Sequence, residues 1–76
     1  MLLTVEKEKS EQGEVAICFD RDGLEFLISK LSKLRDRQDH LHLMTPAWAG
    51  NELTEVLQGG DQYELCNSLR LVRLPL

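Results

Sequence analysis

The sequence predicts an α+β fold: an antiparallel four-stranded sheet with one helix packed on one face, in the order ββαβ-loop-β. Three observations carry this prediction. Four short segments alternate apolar and polar residues with the two-residue period of a half-buried strand. One segment repeats its apolar residues at helical spacing instead. The first two strand segments are separated by a turn too short for a crossover, so they pair antiparallel, and a single amphipathic helix covers only one sheet face.

Residues 2–9 open the chain as a strand, with Leu3 and Val5 alternating against Thr4 and Glu6. The charges from Glu6 to Lys9 suggest that this strand is an exposed edge. Glu11-Gln12-Gly13 supplies a turn, and residues 14–19 alternate again, with Val15, Ile17 and Phe19 set against Ala16 and Cys18. The two segments form a hairpin. Asp20 is placed to accept the free backbone N–H groups of a new helix, and Asp22 adds charge that the helix dipole favours there. Leu24, Leu27, Ile28, Leu31 and Leu34 then form one stripe, predicting a helix over about residues 21–36. Phe26 falls nearly opposite the stripe, since two residues rotate by about 200°. It is read as a partly covered surface aromatic or a partner contact.

Residues 40–45 alternate once more, Leu41 and Leu43 against His40, His42 and Met44, until Pro46 ends the ladder. Residues 46–64 fit two readings: a helical turn capped by Asn51, or a strand leading into a turn at Gly59-Gly60. Ser68 to Leu74 closes the chain as a strand, and Pro75 ends it. The predicted inward set is Leu3, Val5, Val15, Ile17, Phe19, Leu41, Leu43, Leu69 and Leu71. The other sheet face carries Ala16, Cys18, His40, His42, Met44, Arg70 and Val72.

Seventy-six residues make one domain, residues 1–76, with 42% hydrophobic and 29% charged residues, a globular balance. A chain this short buries only about 60% of its unfolded surface, so a surface site is expected rather than a deep cavity. The net charge of −4 argues against nucleic acid or an anionic membrane as partner; it fits simple solubility, and would also fit a basic protein partner. Two cysteines, Cys18 and Cys66, without a CxxC pair favour a reducing compartment. No stretch approaches the roughly 20 apolar residues of a membrane span, and the start lacks signal-peptide character, so a cytoplasmic location is expected.

Catalytic patterns are missing. No nucleophile elbow accompanies the candidate pair Cys18 and His42, and Gly59-Gly60 has no following Lys-Ser or Lys-Thr of a phosphate loop. The expectation is a non-enzyme without a cofactor. His40 and His42 point the same way on a strand and are weak candidate metal ligands, with Cys18 or Asp39 as a third; the leading reading is a solvated sheet face. Trp48, between Pro46 and Gly50, is either a lid over the core or an interface anchor. Glu52, Glu55, Asp61 and Glu64 make residues 46–64 acidic, with no Lys or Arg. The segment therefore reads as a solvated loop or as a surface that docks on a basic partner.

The run His40-Leu-His-Leu-Met-Thr-Pro-Ala-Trp-Ala-Gly50, then Glu52-Leu53 and a closing Ser68-Leu-Arg-Leu-Val-Arg-Leu-Pro75, resembles the immunity protein 32 family of bacterial polymorphic toxin systems. The resemblance spans about residues 14–75, and the His-Leu-Met-Thr-Pro and Trp segment is its most specific part. Ala49 stands where the family pattern suggests glycine. The resemblance implies an α+β immunity protein that neutralises a cognate toxin by direct binding, without catalytic residues to carry over. Trp48, His42 and Glu52 fall on its motif. The expected contact set is Trp48, Glu52, Glu55, Asp61 and Glu64. The alternatives are a small metal- or ligand-binding domain using His40 and His42, and a homodimer joined through the first strand's edge or the sheet face away from the helix.

Overall fold

Strands β1 (Leu3–Glu8) and β2 (Val15–Phe19) form the predicted antiparallel hairpin, with Leu3 opposite Phe19 and Val5 opposite Ile17. The computed structural model describes all residues, 1–76. Helix α1 (Arg21–Ser32) follows, then β3 (His40–Met44), a 3₁₀ turn at Pro46–Trp48, β4 (Tyr63–Leu65) and β5 (Ser68–Val72).

These strands make two sheets and not the single four-stranded sheet expected. One has three strands in the order β2-β1-β4, and the other pairs β3 with β5. All pairings are antiparallel. The difference arises at Cys66-Asn67, where one extended stretch of chain changes partners. Tyr63 to Leu65 lies against β1, with Leu65 opposite Glu6, and the Cys66 N–H still donates to the Val5 carbonyl. One residue later the Asn67 carbonyl accepts from the Thr45 N–H, and Ser68 onward lies against β3. A three-residue strand bounded by Gly59-Gly60 and a change of partner carries too short a period to show in sequence.

Placing β4 beside β1 also corrects the expectation that β1 is an exposed edge. β1 is the central strand, and Leu3, Thr4, Val5 and Glu6 are all buried. The edges are β4 on one side and, on the other, β2. Its Val15, Ile17 and Phe19, predicted to face inward, share the face of Leu3 and Val5 yet are 60%, 39% and 46% exposed. The apolar core is small: Leu3, Val5, Leu43 and Leu53 form one cluster, joined by partly buried Phe26, Leu27, Cys66, Leu69 and Leu71. Leu53 comes from the segment that the periodicity left open.

Helix α1 begins as predicted, with the Asp20 carboxylate accepting from the Gly23 N–H at 2.8 Å. It ends at Ser32, four residues before the predicted limit. The bonds Lys33 N–H to Lys30, Leu34 N–H to Leu31 and Arg35 N–H to Ser32 are three-residue turns that tighten the chain and bury Leu34. Arg73, just beyond β5, donates to the Leu34 and Arg35 carbonyls at 2.9 and 2.8 Å. It thereby supplies the partners that a continuing helix would have provided. The buried face of α1 runs through Gly23, Phe26, Leu27 and Lys30 toward Leu34, while Ile28 and Leu31 are exposed. The rotation from the predicted stripe has a cause. Gly23 lies so close to the Leu2 carbonyl that a Cβ would collide with it, so the first turn packs on its glycine. Phe26 is consequently a core-side residue, and the Lys30 ammonium sits 5.1 Å from its ring centre.

Candidate functional site

Residues 46–64 form neither of the two predicted arrangements. The segment begins as a tight turn: the Trp48 and Gly50 N–H groups both donate to the Thr45 carbonyl, and Ala49 closes the turn with φ 61° and ψ 23°. The Asn51 cap does not form; its N–H instead meets the Glu52 carboxylate at 2.6 Å. From Leu53 the chain runs extended as a strap beside and then across the three-stranded sheet. Leu53 N–H donates to the Met44 carbonyl, and Thr54 exchanges bonds with Leu3, giving its N–H to the Leu3 carbonyl and receiving the Leu3 N–H on its hydroxyl. This pairing continues the edge of β1 beyond the reach of β4.

The far half of the strap is held by Glu6. Its carboxylate accepts the Gln58 N–H at 2.9 Å, the Gly59 N–H at 2.8 Å and the Thr4 hydroxyl at 2.6 Å. Burial by itself would push this carboxyl up, but those donors, with the Cys18 thiol, hold it below its ordinary value of 4.5. Gly59 is needed for the close approach, since a Cβ there would lie 2.6 Å from the Tyr63 ring and 2.9 Å from Glu6 Oε1. Sequence reasoning missed Glu6 and read it as solvated. The available signal was its place on an apolar strand, on the same side as Thr4, followed far along the chain by a glycine pair.

A strap sewn down in this way presents its outer surface. Trp48 is 58% exposed, which answers the choice between lid and surface residue in favour of the surface, and Val56 and Leu57 are also exposed. Glu52 is half-buried beside the turn, tied to it by the bond to Asn51, and Glu55 is exposed on the strap. Asp61 and Glu64 lie apart. Thr54 pairs with Leu3 while the Gln62 carbonyl pairs with Lys9, so residues 54 and 62 are about 20 Å apart along β1 at ~3.4 Å per residue. Glu64 stands opposite Lys7, on the face of Val5, whereas the strap crosses the face of Glu6. Trp48 lies on the turn, Glu52 just after it and Glu55 at the start of the strap, while Asp61 and Glu64 follow the strap's far end.

The histidines occupy the two-stranded sheet. His40 and His42 are exposed, with their rings edge-on and centres 5.2 Å apart. The Asp39 carboxylate comes within 3.7 Å of His40 Nδ1, but no third ligand joins the two histidines. Cys18 lies in the other sheet, and Asp39 is engaged by the His40 N–H at 2.8 Å and by Arg37 at 2.6 Å, which hold its carboxyl below the ordinary range. No three His, Cys, Asp or Glu residues come together in a metal-holding group. An open groove of about 600 Å³ between the end of α1 and β5 is lined by Leu31, Leu34, Arg35, Asp36, Leu71, Val72 and Arg73. It holds no nucleophile or histidine, so its chemistry is that of a contact surface.

The sequence profile of Immunity protein 32 matches residues 14–62, from the start of β2 through the whole strap. The chain belongs to the immunity protein 32 family. As an immunity protein it acts by binding a cognate toxin, and the family assignment accounts for a molecule that presents surfaces rather than a catalytic cleft. The match takes in the Trp48 turn, Ala49 and Glu52 through Asp61. No curated protein and no solved structure matches this immunity protein significantly. No helix is long and apolar enough to cross a membrane.

Proposed function

We propose that this immunity protein neutralises its toxin by stoichiometric association through the outer surface of residues 46–64, with Trp48 as the anchor. The observation that carries this reading is an indole more than half exposed on a turn closed by three backbone hydrogen bonds. A rigid aromatic held out of the core offers large apolar area with little ordering cost on binding. Val56 and Leu57 extend the apolar area along the same strap, and Glu52 and Glu55 lie on it to meet cations. Asp61 and Glu64, at the far end, contribute to the field that steers the approach of a basic toxin rather than to the central contact. The complex forms in the cytoplasm of the producing cell, in keeping with two unpaired cysteines.

The test is titration of the purified protein against the toxin domain encoded beside its gene, by calorimetry. Trp48→Ala weakens binding by about 30-fold or more, corresponding to a hot spot of ~2 kcal/mol, and Glu55→Gln weakens it about threefold. Both variants retain the parent's thermal unfolding midpoint, since neither side chain holds the core. Unchanged affinity in the Trp48→Ala, Glu55→Gln double variant moves the contact to another surface.

A further inference from the structure

We infer that the free edge of β2 is a second docking site, built to accept an extended strand of a partner protein whose apolar centre is flanked by Lys or Arg. The inference stands apart from the Trp48 surface. It begins with the hydrogen-bond ladder. β2 is the outer strand of its sheet, and its Asp20 N–H and Glu14 carbonyl bond inward to Leu2 and Glu8. Antiparallel alternation then turns the backbone groups of Ala16 and Cys18 inward too, and those of Val15, Ile17 and Phe19 out to solvent. The same three residues, at the outer margin of the face on which α1 packs, expose their side chains. Unpaired backbone and exposed apolar side chains therefore coincide along one five-residue strand.

Proteins usually guard such an edge with Lys, Pro or a bulge, and the strand Val-Ala-Ile-Cys-Phe has none of them. An added strand would satisfy the outward N–H and C=O groups and cover the apolar row in one step. Charge selects the occupant. Glu14 precedes the strand, and Asp20 and Asp22 follow it, with Arg21 offsetting one of them. The neighbouring cation on that face, Lys7, already stands opposite Glu64. A second copy, paired antiparallel about Ile17, would set Glu14 against Asp20 at both ends and bring two chains of net charge −4 together. A five-residue edge offers too little area to outweigh that repulsion, being well short of the ~1,200–2,000 Å² of a stable interface. A strand with basic ends meets the acids favourably.

The test uses the whole protein, isotope-labelled, and the synthetic peptide Lys-Lys-Val-Thr-Val-Thr-Val-Lys-Lys as probe. Binding is expected to slow hydrogen exchange at the Val15, Ile17 and Phe19 amides at least tenfold, with Ala16 and Cys18 little changed. A peptide with Glu in place of Lys binds at least tenfold more weakly at low salt. Val15→Lys, at the most exposed position of the row, abolishes binding while keeping the parent's circular dichroism and unfolding midpoint. Three results overturn the inference: no change at those amides with millimolar peptide, equal binding of the Glu-ended peptide, or a light-scattering mass of two chains that Val15→Lys reduces to one. The last assigns the edge to a second copy. None of these outcomes bears on Trp48 and the toxin, which are tested separately.

Discussion

Glu6 shows how one side chain decides what a segment does. It is fully buried without a cation beside it, and is stabilised as an anion by two backbone N–H groups of the strap and the Thr4 hydroxyl. Glu6→Gln sets an amide NH₂ or a weaker acceptor against those donors, and should cost about 1.5–3 kcal/mol, measured by urea unfolding at neutral pH. Because folding lowers the Glu6 pKa from 4.5, its contribution is complete above that value and is lost as pH falls through the folded-state value. Unfolding followed between pH 6 and 3 should therefore show a loss of stability in the parent that is reduced in Glu6→Gln. An equal acid slope in both proteins would place the acid sensitivity in other carboxylates. Ala49 supplies the opposite case. It holds a left-handed backbone, which costs an L-residue roughly 1–2 kcal/mol, while glycine adds ~0.4–1 kcal/mol of unfolded-state entropy. Ala49→Gly should accordingly stabilise the protein by about 0.5–1 kcal/mol, read from the thermal midpoint. The resemblance implies glycine at this position, and the positive φ gives a physical reason for one.

At the scale of elements, the helix and the β3–β5 sheet are joined at one point by Arg73. Its guanidinium donates to two carbonyls in the turn after α1, and its own N–H donates to the Asp39 carbonyl before β3. Arg73→Ala leaves those helix-end carbonyls to solvent and unpins Leu34. We expect a loss of about 1–2 kcal/mol, with hydrogen exchange accelerating at Leu34 and Arg35 before it does in β1. Uniform acceleration over the whole chain would mean that the turn does not open independently. Much of the element plan was legible in sequence: the hairpin, the Asp20 cap, the alternation of β3 and the last strand. The helix stripe was legible only to within a rotation. Apolar spacing marks a band of residues but does not say which part of the band meets the sheet, and Gly23 decided that by its contact with Leu2.

The whole molecule measures 39 × 28 × 23 Å, and only four apolar side chains form its buried cluster. A chain of this size has a stability of roughly 4–11 kcal/mol, and so small a buried core points to the lower end. Toxin binding should then raise the unfolding midpoint: at free toxin near 100 times Kd, mass action adds about 2.7 kcal/mol. The net charge of −4 has a kinetic counterpart. If the toxin surface is basic, the association rate should fall about tenfold between about 20 and 300 mM salt while the dissociation rate changes little. A rate constant independent of salt would remove charge steering from the mechanism.

From the residues alone one could read the α+β class, the helix and four of the five strands, the acidic balance and the resemblance around Trp48 that lies within the family match. These properties depend on local periodicity, on composition or on short-range pattern, all of which act within a few residues. What required the tertiary structure was every question about a neighbour far along the chain. The division into two sheets, the central place of β1, the burial of Glu6, the exposure of Val15, Ile17 and Phe19, and the course of the strap all depend on which segments lie side by side. An alternating strand shows which residues share a face, but whether that face is covered depends on a partner more than fifty residues away, as Glu6 and Gln58 demonstrate with a separation of 52.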